Sequence, residues 1–112
     1  MWIASAFLGI TFVAINTLLR GDVLYHQIKL ASPKIILTEK KYYNQVVKTG
    51  FEKKKIKVIN IKDFSSNSEL NEKLIIDSKN YDTACVMFTS GTSGPSKGVI
   101  MPNAHCVLFA IG

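Results

Sequence analysis

Residues 88–99 read FTSGTSGPSKGV, a run of hydroxyls and glycines with a single lysine, entered from the apolar segment Ala84-Cys85-Val86-Met87-Phe88. A short unbroken apolar run bounded by turn residues has the pattern of a strand buried on both faces. The loop it feeds has the chemistry of an anion site. Backbone N–H groups converge on a phosphate only where no side chain intrudes, which Gly91 and Gly94 allow. Thr89, Ser90, Thr92, Ser93 and Ser96 add hydroxyl donors, and Lys97 adds a compact positive charge suited to outer phosphates. The P-loop of nucleoside triphosphatases places glycine before its lysine and serine or threonine after it. Here Ser96 precedes Lys97 and Gly98 follows, so that reading fails on both sides. A plain Gly-Ser connector is the remaining alternative. It would not require a buried strand, a set of hydroxyls, a proline and one lysine in this order.

Outward from the loop, apolar periodicity alternates between strand and helix. On the C-terminal side, residues 99–101 form a brief strand, and Pro102 with Asn103 opens a last helix. On the N-terminal side, Asp22 can cap a helix running to Leu30, with Val23, Leu24, Gln27, Ile28 and Ala31 at helical spacing and Pro33 closing it. Ile35-Ile36-Leu37 is a short apolar strand. A helix starting after Thr38 at Glu39 turns Tyr42, Tyr43, Val46 and Val47 inward and ends at Gly50. Residues 56–61 form the next strand, 63–71 a serine- and asparagine-rich loop, and 69–77 a short helix. Such alternation predicts an α/β fold of β-α-β units with a mostly parallel sheet. At 112 residues the chain has the length of one ordinary domain.

Charge and cysteine usage narrow the function classes. The net charge is +6, but Arg20 is the only arginine, and dispersed lysine does not make the bidentate contacts of a nucleic-acid reader. The basic run at 53–57 has no aromatic platform beside it and reads as a solvated turn, so no nucleic-acid partner is expected. Cys85 and Cys106 lie in apolar contexts without metal-ligand spacing, which predicts buried free thiols, a reducing compartment and no metal site. Residues 1–19 carry no charge and are just long enough to span a bilayer. The alternative is a core helix at 2–8, a turn at Gly9 and a buried strand at 11–15.

The sequence TSGTSG followed by Pro95, Ser96, Lys97, Gly98 and Val99 resembles the phosphate-binding signature of the AMP-forming adenylating enzymes. That superfamily comprises acyl-CoA synthetases, peptide-synthetase adenylation domains and luciferases. Weaker likeness extends outward. Gly9 with the segment to Ile15-Asn16, then Arg20-Gly21-Asp22, KIILTE at 34–39 and Tyr81-Asp82-Thr83-Ala84 look like flanking parts of the same domain, with Ala14 where proline is usual. The continuation GPSKGVIMPNAH is most similar to bacterial acyl-CoA and carnitine-type CoA ligases. A histidine common after the signature corresponds to Asn103, and His105 reads as a helix-surface residue.

The resemblance implies a partial AMP-binding domain over residues 1–112, truncated at both ends relative to the family. It implies ATP and a carboxylic acid as substrates, Mg2+ as the ion accompanying ATP, coenzyme A as co-substrate and a cytoplasmic location. It also implies that the phosphate contacts are Thr89, Ser90, Gly91, Thr92, Ser93, Gly94 and Lys97, and that residues 1–19 are an internal helix and strand. The family's adenine-binding strand, magnesium-holding glutamate, ribose-binding aspartate and lysine-bearing small domain have no counterpart in this sequence. The chain is therefore expected to be a fragment of an acyl-CoA synthetase, inactive alone and poorly soluble because strand edges lack neighbours. Two alternatives stand beside this: a noncatalytic nucleotide- or phosphate-binding module working with a complementary chain, and a small single-pass membrane protein.

Overall fold

The computed structural model describes residues 1–51, 56–63, 75–89 and 94–111. The elements in chain order are α1 (Trp2–Phe7), β1 (Phe12–Val13), α2 (Gly21–Ala31), β2 (Ile35–Thr38), α3 (Lys40–Lys48), β3 (Lys57–Asn60), β4 (Thr83–Phe88), β5 (Gly98–Pro102) and α4 (Asn103–Ile111), with a 3-10 turn at Ile61–Asp63. The fold is mixed α/β, as expected. Contacts divide the chain into two compact units, one of Met1–Ala14 with Glu69–Gly112 and one of Ile15–Ser68.

The second unit is a β-α-β arrangement. Strands β2 and β3 pair in parallel, Ile35 opposite Lys57 through Thr38 opposite Asn60, with α3 as the crossover. Helix α2 buries Leu24, Gln27 and Ile28, while Val23, expected in the inward stripe, is half exposed. Leu24, Ile28, Val46 and Phe51 form the core, with Ile15, Leu19, Ile36, Ile56 and Val58 packed around it. Ile28 is its most deeply buried side chain, worth about 1.5–3 kcal/mol of burial. The Phe51 ring stacks on Tyr25 at 4.8 Å between centroids. Strand β2 alternates instead of being buried on both faces: Ile36 meets the core and Ile35 is exposed.

Asp22 is not the cap of α2. Arg20 occupies the cap position with extended backbone, its guanidinium donates to the Thr17 and Leu19 carbonyls, and Asp22 lies in the first turn, where its charge suits the helix dipole. At the other end Ser32, before Pro33, takes a left-handed conformation and its N–H closes on the Ile28 carbonyl.

In the first unit β4 is central, parallel to β1 and antiparallel to β5. The predicted strand at 11–15 shrinks to two paired residues. The Asn16 side chain accepts the Leu18 N–H in a local turn, and Ile15 packs into the second unit's own core. The predicted helix at 69–77 is described only from residue 75, and 75–77 are irregular: the Ile76 N–H donates to the Phe7 carbonyl at the end of α1. Residues 64–74, which include nearly all of the predicted 63–71 loop, and 52–55, in the basic run, lie outside the described residues. Helix α1 has six residues, and among the described residues no helix is long and apolar enough to cross a membrane.

Candidate functional site: the β4–β5 connection

Strand β4 runs in the middle of its sheet and delivers the chain to the loop with its backbone paired on both sides. Phe12 and Val13 face Cys85 and Val86 on one edge, and Met101 to Gly98 face Cys85 to Phe88 on the other. A register shift between Thr83 and Cys85 marks where β5 gives way to α4. The turn before β4 fixes that corner. The Asp82 carboxylate accepts the Lys79 N–H at 2.7 Å, the Asn103 amide donates to the Lys79 carbonyl at 2.8 Å, and the Asn103 and Ala104 N–H groups donate to Asp82 and Asn80 carbonyls. Both strands that flank the loop are thus held at their far ends as well as along their length.

At the near end the Thr89 N–H donates to the Lys97 carbonyl at 3.0 Å, one step beyond the Phe88–Gly98 pair, and the Thr89 hydroxyl lies 3.5 Å from the same oxygen. This backbone clasp brings the first and last of the predicted phosphate contacts together at the loop's root. The Lys97 side chain is exposed, and among the described residues no carboxylate is paired with it. Gly94 has φ +154°, a conformation that side chains disfavour. Ser90, Gly91, Thr92 and Ser93 lie outside the described residues.

Gly98 plays a part that sequence reasoning did not assign. A Cβ there would stand 3.1 Å from Val86 Cγ1 and 3.6 Å from Phe88 Cε1, so the β4 side chains fill the space a side chain would take. The signal available in the sequence was a glycine beginning a strand, which marks close approach. Asn103 was read as the start of the last helix and as a replacement for histidine; its side chain also ties α4 to the turn before β4.

Of the two free cysteines, Cys85 is buried as expected and Cys106 is only partly so. Burial, followed by the neighbouring Cys106, holds the Cys85 thiol above its ordinary titration range. His105 is exposed on α4.

The family model described as AMP-binding enzyme matches residues 1–112. Luciferin 4-monooxygenase from Photuris pensylvanica is 31% identical over 94% of this chain, and this chain spans 23% of that protein. Among solved structures, ATP-bound MatB from Rhodopseudomonas palustris superposes with a TM-score of 0.80 at 22% identity, covering 98% of this chain and 23% of its own. The O-succinylbenzoate coenzyme A synthetase MenE from Bacillus subtilis, in complex with AMP, gives 0.73 at 24% identity, covering 98% of this chain and 28% of its own. These structural likenesses establish a shared fold. The match along the full sequence establishes descent, and the chain belongs to the AMP-binding enzyme family.

Proposed function

We propose that residues 88–99 hold the β- and γ-phosphates of ATP, and that the chain is the phosphate-binding portion of an ATP-dependent acyl-CoA synthetase. In such an enzyme a carboxylate oxygen attacks the α-phosphorus of ATP, pyrophosphate leaves, and the thiol of coenzyme A then displaces AMP from the acyl-adenylate. The observation that carries this reading is the Thr89–Lys97 clasp. It closes the loop at its root and leaves the Lys97 ammonium exposed beside it. A cation there offsets the charge that accumulates on departing pyrophosphate. Pyrophosphate is thereby made a better leaving group.

Mg2+ accompanies the nucleotide in this reading, and among the described residues no three or more His, Cys, Asp or Glu side chains are gathered. ATP-bound MatB supports ATP as the nucleotide. The chain spans about a quarter of its relatives' length, 23% of the luciferase and 28% of MenE. On that basis we assign it phosphate binding without completed adenylation. Carboxylate-dependent exchange of labelled pyrophosphate into ATP by the purified chain would contradict that assignment.

A second reading, a module completed by another chain, is favoured by the apolar surface of β5 and α4. Ile100, Leu108, Phe109 and Ile111 are 61–80% exposed, and a face of this kind ordinarily packs against protein. Both readings share the loop. Calorimetry with ATP and Mg2+ tests it: binding in the millimolar range or tighter is expected, weakened roughly tenfold in Lys97→Ala, the order of a lost charge-assisted contact. Equal binding by both proteins would remove Lys97 from the site.

A further inference from the structure

Val86 lies outside the segment 88–99 assigned to phosphate, yet the strand register aims it at that segment's far end. In the antiparallel pair Val86 stands opposite Ile100 and Phe88 opposite Gly98. Directly opposed residues, and those two apart on one strand, share a face of the sheet, so 86, 88, 98 and 100 lie together. On that face Gly98 has no side chain. A Cβ there would stand 3.1 Å from Val86 Cγ1 and 3.6 Å from Phe88 Cε1, so valine and the phenylalanine ring occupy its space. An aromatic ring over a cross-strand glycine shields its backbone. Val86 has a stiff side chain, and its backbone is paired with Val13 of β1 on the other side. It therefore sets how closely β5 approaches β4 where the loop ends.

We propose that Val86 is a positioning residue for the phosphate loop, acting through Gly98 on the Thr89–Lys97 clasp; this role rests on residues 88–99 being the ATP-phosphate site. The acceptor of the Thr89 N–H is the Lys97 carbonyl, at 3.0 Å, and that carbonyl belongs to the peptide joining Lys97 to Gly98. N–H···O bonds leave their favourable range above about 3.2 Å. A methyl added at Gly98 pushes β5 from Val86 and stretches this bond. Two methyls removed from Val86 leave Gly98 without a neighbour on that side, and the same peptide loses its support. Each change displaces Lys97 while leaving its ammonium present. A methyl at 98 together with the shorter side chain at 86 restores the contact.

The test is this exchange of size, carried out on the full chain as wild type, Val86→Ala, Gly98→Ala and the double variant. Hydrogen exchange of the Thr89 amide, followed by NMR, reads the clasp without nucleotide. Both single variants should exchange about fivefold faster than wild type, and the double variant should recover most of the protection. Calorimetry with ATP and Mg2+ is run where urea curves show every variant folded, so a change in stability alone leaves the affinity unmoved. Each single variant should bind about threefold more weakly, short of the loss in Lys97→Ala because the ammonium is displaced and not removed. The double variant should bind nearly as wild type does. Should Gly98→Ala not fold, recovery of a folded, ATP-binding chain on adding Val86→Ala gives the same answer. Thr89 exchange untouched by either single change, or equal losses from Gly98→Ala whether residue 86 is valine or alanine, would overturn the role of Val86. A wild type that binds no ATP would overturn the phosphate site and with it the role of Val86, whatever Thr89 exchange reports of the packing.

Discussion

Replacing Gly98 with alanine sets a methyl group against Val86. At ideal geometry the added carbon stands 3.1 Å from Val86 Cγ1 and 3.6 Å from Phe88 Cε1. Carbon contacts are most favourable at about 3.5–4.0 Å, so the first contact is too close by a few tenths of an ångström and the second is acceptable. Val86 cannot easily give way: it is β-branched, with one stiff side-chain torsion, and its backbone is held by Val13 on one side and Ile100 on the other. Overpacking costs about 1–3 kcal/mol, and a single methyl with one short contact belongs at the lower end, about 1 kcal/mol. The folded-to-unfolded ratio then falls roughly fivefold. Urea unfolding of the wild type, Gly98→Ala, Val86→Ala and the double variant measures it. Once Val86 is cut back, the methyl at 98 has room, so the double variant should be no less stable than Val86→Ala, a coupling of about 1 kcal/mol. Equal losses from Gly98→Ala in the two backgrounds, or no loss in either, would refute the steric argument.

Ile28→Ala should cost about 2–5 kcal/mol, because the side chain is 1% exposed at the centre of the second unit's core; circular dichroism during urea unfolding reads it, and a loss under 1 kcal/mol would contradict that packing. The Cys85 thiol, held above its ordinary value of 9.0 mainly by burial, favours the folded state below that value. Its contribution is lost as pH rises through the raised folded value, so stability should fall above about pH 9, and less steeply in Cys85→Ala. A pH profile identical in the two proteins would count against it.

The sequence made the order of elements legible because helix and strand periods differ, and α2, α3 and β2 to β5 lie close to where apolar spacing puts them. What it could not show was partnership. Ile35 and Ile36 look alike in sequence, and only the parallel pairing with Lys57 and Val58 decides which one meets the core. Asp22 reads as a cap by residue type, yet the Arg20 guanidinium bonds to the carbonyls of Thr17 and Leu19 and helix α2 begins two residues earlier than that capping implied. Residues 75–77 carry two isoleucines that fit a helix as well as an extended segment; the Phe7 carbonyl, distant in sequence, takes the Ile76 N–H.

The site divides in the same way. TSGTSGPSKG announces its chemistry through residue type, since few functions call for that many hydroxyls around glycines and a lysine. The clasp between Thr89 and Lys97 and the close approach at Gly98 depend on the antiparallel register of β4 and β5. No local pattern encodes those.

The central claim is that this chain grips ATP by its outer phosphates. Phosphorus NMR of ATP with Mg2+, titrated with the folded chain, observes each phosphate separately. The account predicts that the β and γ resonances shift or broaden, while the α resonance and the adenine protons change least, and that Lys97→Ala reduces the effect. Adenine protons that respond while the β and γ resonances stay fixed would contradict it.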